Sequence, residues 1–271
     1  MGIRYFDGPR PRIFGHRGAA GVAPENTLLA FAKALATGAN RLELDVHGTR
    51  DGTVVVFHDA TLDRTTDGTG PLQRRSLSEL QELDAGYHFC APDGSHPFRG
   101  KGVRIPTLKE FLATFPDVPL NIEIKQDEPA IEAEVFALLD WFDARERTLL
   151  AAENASIMAR IRAAAPEMIT GMSTADVVEF LQRRGDISYQ PPGAALQVPC
   201  SLGGFQIVTS EVVTSAHALG IEVHVWVIND ESTMEALLDL GVDGLMTDFP
   251  ALAQAVLSNR LSSASTERPP R

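Results

Sequence analysis

Four short stretches carry side chains able to do chemistry: Gly15-His16-Arg17-Gly18, Glu43-Leu44-Asp45, Phe57-His58-Asp59 and Glu123-Ile124-Lys125. Glu43 and Asp45 stand two apart, as do Glu123 and Lys125. In extended backbone each pair therefore shares one face, while Leu44 and Val46 take the other. Three carboxylates and a lysine in one confined space repel and are costly to desolvate unless a cation joins them. Their hard oxygen donors favour Mg2+ or Ca2+, with Mn2+ a third choice, over zinc. The competing reading is an internal salt-bridge cluster with Lys125 and Arg17. His16 and His58 form a natural proton-transfer pair, because imidazole titrates near neutrality and one ring can accept a proton while another donates. Arg17 offers a planar donor fork suited to phosphate oxygens; its alternative is an ion pair at the foot of the fold. Gly15 and Gly18 allow tight backbone beside these groups.

Those residues need strands to hold them. Short apolar runs at 12–15, 41–47, 120–125, 148–152, 168–172, 194–198, 222–227 and 243–247 alternate with helix-length segments at 27–36, 108–115, 130–144, 155–164, 175–184, 211–219, 231–240 and 251–259. Eight strands and eight helices in alternation predict an α/β fold of the TIM (β/α)8 barrel type, whose active sites lie at the C-terminal strand ends. A doubly wound open sheet is the alternative, but no Gly-rich dinucleotide fingerprint follows the first strand. Val54–Phe57 follows the second strand too closely for a parallel neighbour, and Asp51-Gly52 signals a hairpin. A turn centred between those two residues places His58 level with Asp45. Residues 47–106 are thus a hairpin-containing insertion after the second strand, expected to cap the site. Asn26 reads as a helix N-cap, His47 as a hairpin surface residue and His224 as a hydrogen-bonded core residue. His88 and His96 have no partner in the sequence.

The 271 residues, 44% of them hydrophobic, suffice for one barrel, expected over residues 1–260 with a flexible tail at 261–271. The formal charge of -12 argues against nucleic acid and anionic membrane as partners. Cys90 and Cys200 fit no disulfide or zinc pattern and read as free thiols. The N-terminus has no apolar run, Phe6 stands where a myristoylation motif requires Ser or Thr, and no stretch is apolar enough for a transmembrane helix. A cytoplasmic protein is expected; its oligomeric state is not set by the sequence.

A series of short motifs runs in order through the chain. His16-Arg17-Gly18, Pro24-Glu25-Asn26-Thr27, Glu43-Leu44-Asp45-Val46, Asp51-Gly52 and Val55-Val56-Phe57-His58-Asp59 occur in order. They continue with residues 61–68 (TLDRTTDG), Ile105-Pro106-Thr107-Leu108, Asn121-Ile122-Glu123-Ile124-Lys125, Val225-Trp226-Val227-Ile228-Asn229 and residues 243–250 (DGLMTDFP). Together these motifs resemble the glycerophosphodiester phosphodiesterase family, and the resemblance implies a barrel enzyme that cleaves glycerophosphodiesters to an alcohol and glycerol 3-phosphate. It implies Glu43, Asp45 and Glu123 as metal ligands, His16 and His58 as general acid and base, Arg17 and Lys125 as phosphate binders, and Trp226 in the substrate pocket. An ordinary core aromatic is the other reading of Trp226. One departure is that Ala151-Ala152 stands at the fourth strand end, where many members carry Ser-Phe. Leu196–Pro199 and Val223–Trp226 look more like members acting on lysophospholipids. A lysophospholipase D or a phospholipase C-like enzyme is therefore the alternative, to be favoured by an apolar lid at 70–106 bearing Phe89 and Phe98. A non-catalytic head-group-binding module is the third reading.

Overall fold

The computed structural model describes residues 4–266 of the chain. Its strands are β1 (Arg12–His16), β2 (Arg41–Gly48), β3 (Val54–Val56), β4 (Leu120–Ile124), β5 (Thr148–Ala151), β6 (Ile169–Thr170), β7 (Ala195–Pro199), β8 (Ser201–Leu202), β9 (Phe205–Gln206), β10 (Glu222–Trp226) and β11 (Gly244–Thr247). Its helices are α1 (Leu28–Ala36), α2 (Leu77–Gln81), α3 (Leu108–Thr114), α4 (Glu132–Trp141), α5 (Ala155–Ala164), α6 (Thr174–Arg183), α7 (Ser210–Ala218), α8 (Glu231–Leu240) and α9 (Pro250–Thr266). Eight strands run parallel in the order β6-β5-β4-β2-β1-β11-β10-β7. A parallel bridge between Gly171 and Ala195 joins the two ends of that row, and the expected (β/α)8 barrel is the fold.

The alternation seen in the sequence is what closes it. Leu42, Leu44 and Val46 leave β2 outward into a buried cluster with Phe31, Phe111 and Leu112 from the surrounding helices. Arg41, Glu43, Asp45 and His47 take the lumen face, and all four are buried. At the bottom of the lumen Arg12 donates from Nε and Nη2 to Glu222 at 2.7 and 2.6 Å. His224 lies 3.0 Å from the same carboxylate and is fully buried, as its inward position predicted. These pairs satisfy one another, as burial of charge requires.

The hairpin forms, but one residue out of the expected register. Val46 pairs with Val56 and Gly48 with Val54, and Phe57 N–H donates to Asp45 O at 2.9 Å. Phe57, not His58, therefore lies opposite Asp45. The loop holds three residues, Arg50 to Gly52, with Gly52 at φ 79°, where glycine suits the bulge that ends such a turn. A two-residue turn would have given the predicted register.

Other expectations shift. Thr27, not Asn26, caps α1, its hydroxyl accepting from Ala30 N–H; Asn26 is turned into the site instead. His47 is buried rather than on the surface, because β2 runs on to Gly48 and the Gln126 side chain reaches across to Gly48 N–H at 3.2 Å. The last helix continues to Thr266, past its expected end at Asn259, and the remainder of the expected tail, 267–271, lies outside the described residues. Two features had no warning: the short helix α2, opened by a capping box of Ser76 and Glu79, and the β8–β9 hairpin, turned at Gly203-Gly204. Cys90 and Cys200 are free. Among the described residues no helix is long and apolar enough to cross a membrane.

Candidate active site

A cavity of about 540 Å³ opens at the C-terminal ends of the barrel strands. His16, Arg17, Glu43, Asp45, His58, Glu123, Lys125 and Trp226 all line it, so every site residue expected from the sequence converges on one space. They arrive from five places. His16 ends β1, and Arg17 follows in the left-handed region at φ 49°. That conformation, tolerated here in a non-glycine residue, turns Arg17 N–H onto Glu43 Oε2 at 2.9 Å. Gly18 makes the turn possible: at φ 88°, a Cβ there would come within 2.5 Å of the Ala30 backbone.

Glu43, Asp45 and Glu123 come from β2 and β4, paired so that Asp45 lies level with Glu123. Each offers a carboxylate oxygen, and these oxygens lie within 4.8 Å of one another, close enough that they could hold a metal ion. Burial, then the charge of Asp45, raises the Glu43 carboxyl to about 7. Burial also raises Glu123; the nearby Lys125 ammonium opposes this and Asp45 adds to it. A group of buried carboxylates driven toward protonation is the environment that a divalent cation relieves, so the donor set fits a hard oxygen-seeking ion. Two protein cations share the space. Lys125 Nζ lies 2.9 Å from Glu123 Oε1 and 3.6 Å from Asp45 Oδ1. Arg17 donates from Nη1 to Glu25 at 2.9 Å, and its Nε lies 3.3 Å from Asp45 Oδ2 without hydrogen-bond alignment. Asn26 donates from Nδ2 to that same Asp45 oxygen at 2.9 Å.

The two histidines are held alike. His16 Nδ1 lies 2.8 Å from Asp248 Oδ1, and His58 Nδ1 lies 2.6 Å from Asp59 Oδ1. A carboxylate only accepts, so each Nδ1 carries the proton and Nε2 is left to serve the cavity. Burial lowers the His16 pKa, but the Asp248 hydrogen bond and the Glu43 charge outweigh it and leave it raised. His47 fixes the His58 backbone from behind, through Nε2 to the carbonyl at 3.0 Å. Asn229 donates to Asp248 at 2.6 Å. Arg64 bridges the site, donating to Asp59 at 2.6 Å and to both Glu25 oxygens at 2.7 Å. It thereby ties the partner of His58 to the partner of Arg17, and both acids are held down at about 2 despite partial burial. Asp59, Arg64, Glu25, Asn229 and Asp248 all sit inside the motifs quoted above, yet spacing alone assigned them no part. Long-range pairings such as Arg64 with Glu25 leave no periodic trace.

Paired imidazoles, two cations and clustered carboxylates at a barrel mouth suit proton transfer beside a bound phosphate. The particular relatedness follows from comparison. The model of the glycerophosphoryl diester phosphodiesterase family matches residues 16–252, and the chain belongs to that family. It is 33% identical over 245 residues to a glycerophosphodiester phosphodiesterase of Caldanaerobacter subterraneus subsp. tengcongensis, covering 88% of this chain and 94% of that one. It is 31% identical over 278 residues to a lysophospholipase D of Mus musculus, covering 92% and 86%. Among solved structures, an Oleispira antarctica phosphodiesterase in complex with the product sn-glycerol-3-phosphate superimposes with a TM-score of 0.73 at 28% identity, covering 92% of this chain and 97% of that one.

Proposed function

We propose that this chain hydrolyses glycerophosphodiesters to an alcohol and glycerol 3-phosphate by acid–base catalysis with His16 and His58, and that the reaction depends on one divalent cation, Mg2+ or Ca2+, with Mn2+ a possible substitute. The observation that carries the reading is the matched pair of aspartate-held imidazoles lining the same cavity as the three carboxylates. The product complex of the Oleispira relative supports the substrate class. The two free cysteines agree with the cytoplasmic location we propose.

Glu43, Asp45 and Glu123 would hold the cation, which when bound supplies charge neutralisation to the phosphoryl oxygens. Arg17 and Lys125 orient the phosphate and meet the negative charge that builds during attack. The neighbouring glycerol hydroxyl attacks phosphorus; one imidazole Nε2 takes its proton while the other donates a proton to the departing alcohol. The roles then reverse as water opens the cyclic phosphodiester, which leaves both rings as they began. Asp248 and Asp59 hold the rings in the tautomer this exchange needs, as a carboxylate does for a catalytic imidazole elsewhere. Trp226 lines the substrate side.

The test is turnover of glycerophosphocholine by metal-stripped protein, with Mg2+, Ca2+ and Mn2+ restored separately, beside His16→Ala and His58→Ala. Restored hydrolysis that both variants lose supports the reading. Turnover unaffected by chelation, or retained by either variant, overturns it.

A further inference from the structure

Below the catalytic groups a hydrogen-bonded row of side chains crosses the lumen. His224 Nε2 lies 3.0 Å from the Glu222 carboxylate, which only accepts, so that nitrogen carries the ring proton. His224 is fully buried, and burial lowers its pKa against the pull of Glu222, which favours the neutral ring. Its Nδ1 is then an acceptor. Gln197 turns its amino group toward it, with Nε2 3.4 Å away. The same Nε2 donates to Asn121 Oδ1 at 2.7 Å. The orientation of the Asn121 amide is thereby set from the far end of the row: its oxygen faces Gln197, and its amino group is left over. This tautomer needs only an oxygen acceptor at position 222, which an amide there would also supply. Gly171 gives Gln197 room to lie across the lumen, since a Cβ on it would stand 2.9 Å from Gln197 Oε1.

Asn121 is only 3% exposed and lines the cavity, and its Nδ2 donates to no acceptor among the described residues. A nearly buried donor of this kind is ready for an oxygen brought by a ligand. It lies deeper than the metal-facing end of the same strand: Asn121 is level with Glu43, whereas Glu123 is level with Asp45. Arg17 and Lys125 serve the phosphate above it, and a neutral amide suits a neutral oxygen. The variable alcohol of the substrate needs the open mouth, which the insertion leaves clear. Of residues 47–106 only His58 lines the cavity; Phe89 and Phe98 pack edge to face on each other instead, ring centroids 5.1 Å apart. The constant glycerol unit is then the end that points inward. Its inner hydroxyl stays beside phosphorus and the imidazoles in order to react, so the terminal hydroxyl, one carbon further on, reaches the floor. Resting on the function proposed above, we infer that Asn121 Nδ2 binds the terminal hydroxyl of the glycerol unit, and that Gln197 is the positioning residue that keeps this donor turned into the cavity.

The experiment gives the metal-loaded protein two substrates: glycerophosphocholine, and the phosphocholine ester of propane-1,2-diol, which keeps the attacking hydroxyl and lacks the terminal one. The wild type should prefer the first roughly tenfold in kcat/KM. Asn121→Ala and Gln197→Met should each bring that ratio toward one, chiefly through loss on glycerophosphocholine. A merely structural role would lower both substrates alike. That result, or either folded variant keeping the wild-type ratio, overturns the inference. So does a wild type that turns over both substrates equally, and this comparison decides even where a variant fails to fold. If the wild type turns over neither substrate, the reaction proposed above fails and calorimetry decides the inference separately: glycerol 3-phosphate should bind roughly tenfold more tightly than the 1-phosphate of propane-1,2-diol, and equal affinities overturn it.

Discussion

The two ends of the lumen both bury charge, and they do so in opposite ways. At the bottom, Arg12 and Glu222 form two short hydrogen bonds. Burial would raise the Glu222 carboxyl, but His224 and Arg12 override it and hold it at about 2. At the mouth, Glu43 is raised to about 7 although Arg17 and His16 are near. The first cluster is complete within the chain. The second has ligating oxygens in excess of the protein cations that serve them, the arrangement expected of a site built to take an ion and an anionic substrate together. Buried charge is therefore not in itself a sign of function; a carboxylate held away from ionisation is the more telling sign.

That contrast can be broken most directly through activity. His16→Ala or His58→Ala should lower kcat by roughly 10²–10⁴-fold with little change in thermal melting, whereas Glu222→Gln should leave kcat per folded molecule unaltered. Equal losses from both ends would erase the distinction. In stability the order reverses. Glu222→Gln leaves Arg12 uncompensated in a buried position and should cost about 3 kcal/mol, read from urea unfolding. The pair's contribution is present above about pH 4.5 and lost as pH falls toward 2, since the folded value lies below the unfolded one; the variant's stability should not fall over that window as the wild type's does.

A smaller effect sharpens the comparison within the mouth. Arg64→Ala cuts the bridge between Asp59 and Glu25, and loss of such a supporting contact should lower kcat roughly 10- to 100-fold. Arg64→Lys should recover only part of this, because one ammonium cannot serve both carboxylates as the guanidinium fork does. The smallest effect has the opposite sign to all the rest. Glu43→Gln in metal-stripped protein should raise stability by about 1 kcal/mol above neutral pH, because the raised carboxyl makes the wild type lose stability as pH rises from about 4.5 through 7. Destabilisation by this substitution would remove the argument for excess negative charge.

The barrel itself was legible in the sequence because its strands obey a simple rule: apolar outward, charged inward, as in Leu42-Glu43-Leu44-Asp45. The residues expected at the site were found together for the same reason, since alternation and strand ends locate them. What escaped was whatever depends on one residue of register or on distant pairing. Asp51-Gly52 announced a hairpin but not its loop length, which moved His58 by one place. His47 shares the face of Asp45, and nothing in its own neighbourhood told of the Gln126 side chain that helps bury it. Asn26 has the composition of a cap, yet at φ 55° it serves Asp45. The β8–β9 strands are two residues each, too short to show any period.

The ring order of the strands carries a consequence for how such a molecule can change. The groups proposed for chemistry come from a contiguous arc, β4, β2 with its hairpin partner β3, β1 and β11, whereas the apolar lining of the cavity (Val177, Val178 and Leu181 of α6, with Val198 and Leu202) rises from β6 and β7, which meet at the Gly171–Ala195 bridge. The polar and the apolar linings are thus housed in different sectors of one closed sheet. Grafting a new α6 and a new hairpin beside that seam would remodel the apolar lining while the sector bearing the proposed catalytic groups stayed as it is, which makes this flank the natural place to build a library of variant cavities.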